Sequence, residues 1–236
     1  MKLLAIDTST KVAGAALVED GRLICELNLA CGLTHSERLM PLVDDCLRLA
    51  GWKPADLGAV AAVAGPGSFT GVRIGVSTAK GIAEALGVPV VSVGTLETLA
   101  ASFVGFGGVI VPILDARRDQ VYCAVYGADG SELAPPAAMA LGELLALPQV
   151  SDASHALFAG DGVPVHWSMI QSTLGEKARC APEHLLLQRA GAAAMLAWNK
   201  LMAGQTLDAA DLLPEYLRKS SAEQVKERRE GAAHAG

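Results

Sequence analysis

Aromatic residues are scarce in this chain, 4% of 236 residues. It therefore has few of the flat side chains on which nucleic-acid-binding domains stack bases. Charge is also thin: 19% of residues are Asp, Glu, Lys or Arg, and the formal net charge is −6. Residues 1–118 carry 10 basic and 11 acidic side chains and residues 119–236 carry 9 and 14, so neither half holds a basic stripe. That balance argues against a free-standing binder that works by neutralising phosphates. Long apolar runs are missing as well. The longest uncharged stretch, Thr98 to Leu114, is broken by Gly105, Gly107, Gly108 and Pro112 and does not make a membrane span. The start meets an acid at Asp7, too early for a secretory core. A cytoplasmic protein without a membrane segment is expected.

The five cysteines, at 25, 31, 46, 123 and 180, form neither a C-x-x-C pair nor a disulfide framework. Cys25, Cys46 and Cys123 lie within apolar stretches, where they read as small buried hydrophobes. The histidines at 35, 155, 166, 184 and 234 include no pair at metal-site spacing, and H-E-x-x-H is absent. No metal site is expected, and no nucleophile–base pair is readable from spacing.

What is abundant is small and apolar. Hydrophobic residues make up 51% of the chain, with 25 glycines, a composition suited to buried strands and closely packed helices. Residues 2–7 predict a strand ending on Asp7, followed by a polar turn and a second strand to Val18. Glu19-Asp20-Gly21 marks a hairpin, and Arg22–Leu29 continues as a third strand. Thr34 and Glu37 have capping-box spacing ahead of a helix over Ser36–Ala50, within which Pro41 is expected to kink the helix or delay its start. A buried strand over Leu57–Ala64, a helix over Phe69–Leu86, a strand over Val88–Val93 and a helix over Gly94–Val104 complete the first half.

The second half restarts the theme. Val109–Asp115 is again an apolar strand ending on an Asp, followed by a polar turn, a strand over Gln120–Tyr126 and Ala128-Asp129-Gly130. This looks like an internal duplication; chance similarity of two hairpins is the other reading. The remainder of this half is reduced: Leu141–Leu147, a strand over Ala156–Ala159 ending in Gly160-Asp161-Gly162, and helices over Val165–Thr173 and Pro182–Met202. The last helix, apolar on most sides, is expected between the domains or beneath a sheet. From Arg218 to Glu230 the tail mixes both signs of charge and reads as a solvated terminus. The repeat plan resembles the actin/hexokinase superfamily. It implies an α/β fold of two ribonuclease-H-like domains, 1–106 and a reduced 107–236, around a nucleotide cleft.

Two stretches carry candidate chemistry. Asp7, Thr8 and Ser9 follow a strand, where a carboxylate and hydroxyls can hold a hydrated metal and a phosphate; an ordinary Asx turn is the plainer explanation. Gly65-Pro66-Gly67-Ser68-Phe69-Thr70-Gly71-Val72-Arg73-Ile74-Gly75 is a glycine turn leading into a helix. It is neither a P-loop nor G-x-G-x-x-G. Gly71, Gly75 and Ala79 give that helix a nearly bare ridge, which fits either packing on the sheet or docking of another helix.

Asp7-Thr8-Ser9, His35-Ser36-Glu37, the Gly65–Gly75 string, Gly87-Val88-Pro89-Val90, Asp115-Ala116-Arg117 and Pro214-Glu215-Tyr216-Leu217-Arg218 together resemble the TsaB (YeaZ) family, in order along the chain to about Arg218. The resemblance implies a non-catalytic partner of TsaD, the subunit that transfers threonylcarbamoyl to the adenosine beside the anticodon of tRNA. TsaE, an ATPase, assists, and tRNA is met only through the complex. The apolar positions of the first helix and the bare ridge of the second then predict docking through those two helices, with Leu39, Val43, Cys46, Leu47, Gly71, Val72, Gly75 and Ala79 at the interface, and a homodimer through the same face when TsaD is absent. TsaD-like chains hold a metal partly with a His-x-x-x-His pair. The matching places here, Thr95 and Leu99, are not such ligands. Asp7, Thr8, Ser9 and Asp115 are left as a vestigial nucleotide or phosphate site, with no cofactor required. The alternatives are an actin-fold small-molecule kinase or ATPase and, more remotely, a metallopeptidase.

Overall fold

The computed structural model describes residues 1–30, 34–117 and 119–218. Cys31, Arg118 and the tail beyond Arg218 lie outside the described residues. The first half runs β1 (Lys2–Asp7), β2 (Ala13–Glu19), β3 (Arg22–Leu29), α1 (His35–Ala50), β4 (Ala59–Gly65), α2 (Phe69–Leu86), β5 (Val90–Gly94) and α3 (Thr95–Ala101). The second runs β6 (Val109–Asp115), β7 (Gln120–Tyr126), β8 (Glu132–Ala140), α4 (Leu141–Ala146), α5 (Pro148–Ser151), β9 (Ala156–Ala159), α6 (Val163–Leu174), β10 (Ala178–Cys180) and α7 (Ala190–Met202).

The duplication is visible in the strand order. One sheet is β3-β2-β1-β4-β5 and the other, read from its opposite edge, is β8-β7-β6-β9-β10. In each, three antiparallel strands are extended by two parallel ones. These are two ribonuclease-H-like sheets, the second reduced. The 16-residue α1 has only the 6-residue α4 and 4-residue α5 as counterparts, and β9 and β10 have 4 and 3 residues.

Alternation along the strands sorts the core. On the first sheet, Leu4 and Ile6 face α1 and α2, whereas Leu3 and Ala5 face α7. The closing helices are exchanged between halves. Leu96, Leu99, Ala100 and Phe103, from α3 and the turn after it, join the core of the second sheet. Ala190, Ala194, Ala197 and Leu201 of α7 cover the first. The α7 face is built of alanine against Ala5, Ala16, Ala59 and Ala61, so the helix lies close on the strands. Apolar surface buried there contributes about 25 cal/mol per Å².

Several local expectations are corrected. Thr34 makes no side-chain cap, so the capping box does not form; the backbone bond from Glu37 N to Thr34 O (3.1 Å) opens α1 instead. Pro41 does not delay the start, since α1 begins at His35. The strand β8 went unforeseen because it contains Pro135 and Pro136, residues tolerated on a sheet edge, which is where β8 lies. The long last helix is divided. A 3-10 turn at Glu183–Leu185 and an extended stretch precede α7, and the Leu186 carbonyl accepts from Gly160 N at 2.7 Å at the end of β9.

Candidate functional site

The first Asp turn is sealed. Asp7, Thr8, Ser9 and Thr10 are all buried. Asp7 Oδ1 accepts from Ser9 N at 2.8 Å and from the Ser9 hydroxyl at 2.7 Å. The Thr8 hydroxyl donates to the Gly71 carbonyl at 2.7 Å. The amide of Gln188, from the stretch entering α7, donates to the Ser9 hydroxyl at 3.3 Å and to that of Thr10. His35 Nε2 meets the Thr10 carbonyl at 2.7 Å and must be the donor there. Every hydroxyl of the turn is thus engaged inside the protein. Burial pushes the Asp7 carboxyl up to about 6, against the lowering effect of its bonds from Ser9 and of nearby His35. Its Oδ2 is buried without a partner. This is an Asx turn with a buried carboxylate, not an open cradle.

The glycine string packs on that turn. Ser68 N donates to the Ser9 carbonyl at 2.6 Å, and the Ser68 hydroxyl caps α2 by accepting from Gly71 N at 3.2 Å. A Cβ at Gly71 would collide with the Thr8 carbonyl, and one at Gly75 would lie 2.5 Å from Thr8 Oγ1. The bare ridge therefore faces inward, and its smallness lets α2 approach the β1 turn. Leu39, Val43, Cys46, Leu47, Gly71, Val72, Gly75 and Ala79 are all buried against the chain's own sheet. This corrects the expectation that they lie open to a partner. Apolar residues at helical spacing mark the face a helix buries, and here one sheet covers it. What α1 and α2 do show to solvent includes Met40, Pro41, Asp44 and Arg48 on the first and Arg73, Ser77 and Glu84 on the second.

A strap from the end of α7 crosses this region. Leu207 bridges Val90, Leu212 is fully buried, and Lys80 Nζ donates to the Ala210 carbonyl at 2.8 Å. Glu215 N donates to the Ala64 carbonyl at 2.7 Å beside Gly65, whose φ of 130° and contact with the Glu215 carbonyl leave no room for a side chain. Tyr216 stacks on Phe69 with centroids 4.7 Å apart. The Arg73 guanidinium sits 3.7 Å from the Phe69 centroid and its Nε donates to the Tyr216 hydroxyl at 2.8 Å. Arg218 then reaches the Ala116 carbonyl at 3.2 Å in the second half.

The second Asp turn differs. Asp115 is exposed, its Oδ1 accepting from Arg117 N at 2.8 Å and its own N–H donating to Asp161 at 3.1 Å. Burial raises the Asp161 carboxyl, whose other oxygen lies 3.9 Å from Lys11 Nζ of the first half. The structure thus splits the proposed phosphate residues into a sealed trio, Asp7, Thr8 and Ser9, and an open Asp115. Thr95 and Leu99 are both buried on α3. Among the described residues no group of three or more His, Cys, Asp or Glu side chains is placed to hold a metal. Gln188, which ties the second half's exit to the first Asp turn, was missed because the contiguous Leu185-Leu186-Leu187 reads as part of one long apolar helix running through it.

The comparisons with known proteins decide the family. Residues 30–226 match the family model described as TsaD, tRNA N6-adenosine threonylcarbamoyltransferase. The chain is 37% identical over 226 residues to the tRNA threonylcarbamoyladenosine biosynthesis protein TsaB of Bacillus subtilis, spanning 94% of this chain and 96% of that one. The chain belongs to the TsaB family. A solved structure, YeaZ from Pseudomonas aeruginosa, superposes with a TM-score of 0.78 at 30% identity, covering 92% of this chain and 99% of that one. Component A of the (R)-2-hydroxyglutaryl-CoA dehydratase of Acidaminococcus fermentans matches at a TM-score of 0.51 and 11% identity, over 86% of this chain and 99% of its own, a likeness of fold alone. The TsaB resemblance drawn from the Asp7, Gly65–Gly75 and Pro214–Arg218 motifs thus holds across nearly the whole chain. The match to a TsaD model adds that this chain is similar in sequence to TsaD as well as to TsaB.

Proposed function

We propose that this chain serves tRNA threonylcarbamoyladenosine formation as the non-catalytic partner of TsaD, and that it contributes a surface rather than a reaction. The observation that carries this reading is the near full-length match to a TsaB of that name, joined to a first Asp turn whose hydroxyls are all spent inside the protein. A kinase or ATPase of this fold needs that turn open to phosphate. A metallopeptidase needs a cluster of metal ligands, and among the described residues no three His, Cys, Asp or Glu side chains are grouped to hold one. The chain works without a cofactor of its own, and any nucleotide contact is weak.

The docking face in this reading is the outer side of α1 and α2, with Met40, Pro41, Asp44 and Ser77 on it. The eight buried residues beneath seat those helices rather than touch the partner. TsaD shares the fold, so its matching helices can pair with these, and the same face can join two copies of this chain when TsaD is absent. TsaE completes the assembly, tRNA is met through the complex, and the work takes place in the cytoplasm. Residues 1–106 and 107–236 form the two domains, tied by α3, α7 and the strap. The test is co-purification with TsaD and TsaE followed by tRNA threonylcarbamoylation with and without the chain. Loss of modification on omission supports the reading; full modification by TsaD and TsaE alone overturns it.

A further inference from the structure

Two cysteines distant in sequence meet at the edge of the first sheet. The Cys25 thiol, on β3, donates to Cys46 Sγ of α1 at 3.6 Å, across 21 positions of chain. Cys46 is buried and donates in turn to the Ala15 carbonyl at 3.4 Å. Cys25 is half-buried on a strand that forms the sheet's outer edge, next to exposed Leu23 and Ile24. Of the two residues Cys25 is thus the more accessible, and Cys46 is buried beside it. Both are free thiols here.

We propose that Cys25 and Cys46 are an oxidisable pair, with Cys25 as the sulfur attacked first, Cys46 as the resolving thiol and a hydroperoxide as the oxidant. Cys25 sulfur displaces water from hydrogen peroxide: an S–O bond forms, the peroxide O–O bond breaks, and Cys25 becomes a sulfenic acid. Cys46 sulfur then attacks that sulfur, an S–S bond forms, and the hydroxyl leaves with the Cys46 proton as a second water. The two thiols lose two electrons and the peroxide gains them. An S–S bond of about 2.05 Å requires the sulfurs to close by about 1.5 Å, within reach of a rotamer change at half-buried Cys25. Burial pushes the Cys46 thiol up to about 12, with its contact to Cys25 adding to the rise, so it is a poor first target and acts only at short range. The bond would pin α1 to β3 and close a loop that the unfolded chain otherwise samples freely. The inference rests on thiol geometry and stands apart from the proposed assembly.

The experiment treats the full chain with hydrogen peroxide, alkylates the remaining thiols and maps peptides by mass spectrometry without reduction. A Cys25–Cys46 linked peptide is expected, two hydrogens lighter than its parts and restored by dithiothreitol. The midpoint temperature of the oxidised chain should rise by roughly 5 °C or more. Cys25→Ser should abolish both the link and the rise. Cys46→Ala should leave Cys25 as a trappable sulfenic acid, and the wild-type map decides the matter if that variant fails to fold. Oxidation confined to exposed Cys180, or a link from Cys25 to Cys31 in place of Cys46, overturns the proposal.

Discussion

Gly75 lies directly over Thr8: a Cβ at position 75 would stand 2.5 Å from Thr8 Oγ1, the hydroxyl that donates to the Gly71 carbonyl. The helix α2 and the first Asp turn are thereby one packed unit. Gly75→Ala gains about 1 kcal/mol of helix propensity but loses about 1–3 to overpacking and more if the Thr8 bond breaks. The clash wins. With the Thr8 bond weakened as well, at about 1 kcal/mol, a net loss of about 1–3 kcal/mol is expected in urea unfolding, with Gly75→Leu worse still; an unchanged midpoint for Gly75→Leu would mean that the ridge does not pack as described.

Asp7 gives the chain a pH dependence of unusual sign. Its carboxyl moves from 3.8 unfolded to about 6 folded, so the folded state holds the proton more tightly. The group favours folding below the unfolded value. That contribution is lost as pH rises from 3.8 towards 6, and above 6 the full cost of the buried charge is present. Asp7→Asn keeps an acceptor for Ser9 N and carries no charge. Its stability relative to the native chain should climb between about pH 4 and 7 by about 2–3 kcal/mol. Urea midpoints of both proteins across that range provide the check, and a difference independent of pH contradicts this assignment.

The stack of Tyr216 on Phe69 under Arg73 holds the strap at an exposed place, with Tyr216 41% accessible. Stacking and cation–π contacts together contribute about 1–2 kcal/mol at such a site. Tyr216→Ala should therefore speed hydrogen exchange at the Glu215 amide by about tenfold or more while strand amides of β1 keep their protection. Equal exchange in both proteins would show that the strap is held elsewhere.

Met40, 50% exposed on α1, tests the proposed docking face. Met40→Asp should leave the thermal midpoint within about 1 °C, since an exposed substitution rarely matters to folding, yet weaken TsaD binding and self-association about tenfold. Unchanged association by analytical ultracentrifugation removes this face from the interface.

Much of the fold was legible. Apolar runs ending on Asp7 and Asp115, each followed by a hairpin, announced two related sheets, and α2 was readable to both ends because Ser68 and Gly87 punctuate it. What failed was the side of the helix. Gly71, Gly75 and Ala79 belong to one stripe with Val72, Val76 and Ala83, the stripe that faces the sheet. Spacing reports that a stripe exists, not what covers it. The strap and Gln188 were out of reach for another reason. Their contacts join positions up to 179 apart, such as Gln188 with Ser9, and depend on the course of the intervening chain rather than on local pattern.

The most direct measurement is tRNA threonylcarbamoylation by TsaD and TsaE supplied with the Asp7→Asn/Asp115→Asn double variant. A rate within about twofold of that with the native chain is expected, because neither carboxylate takes part in a reaction. A loss of about a hundredfold from a variant that is folded and still bound to TsaD would contradict the non-catalytic role and place chemistry in this chain.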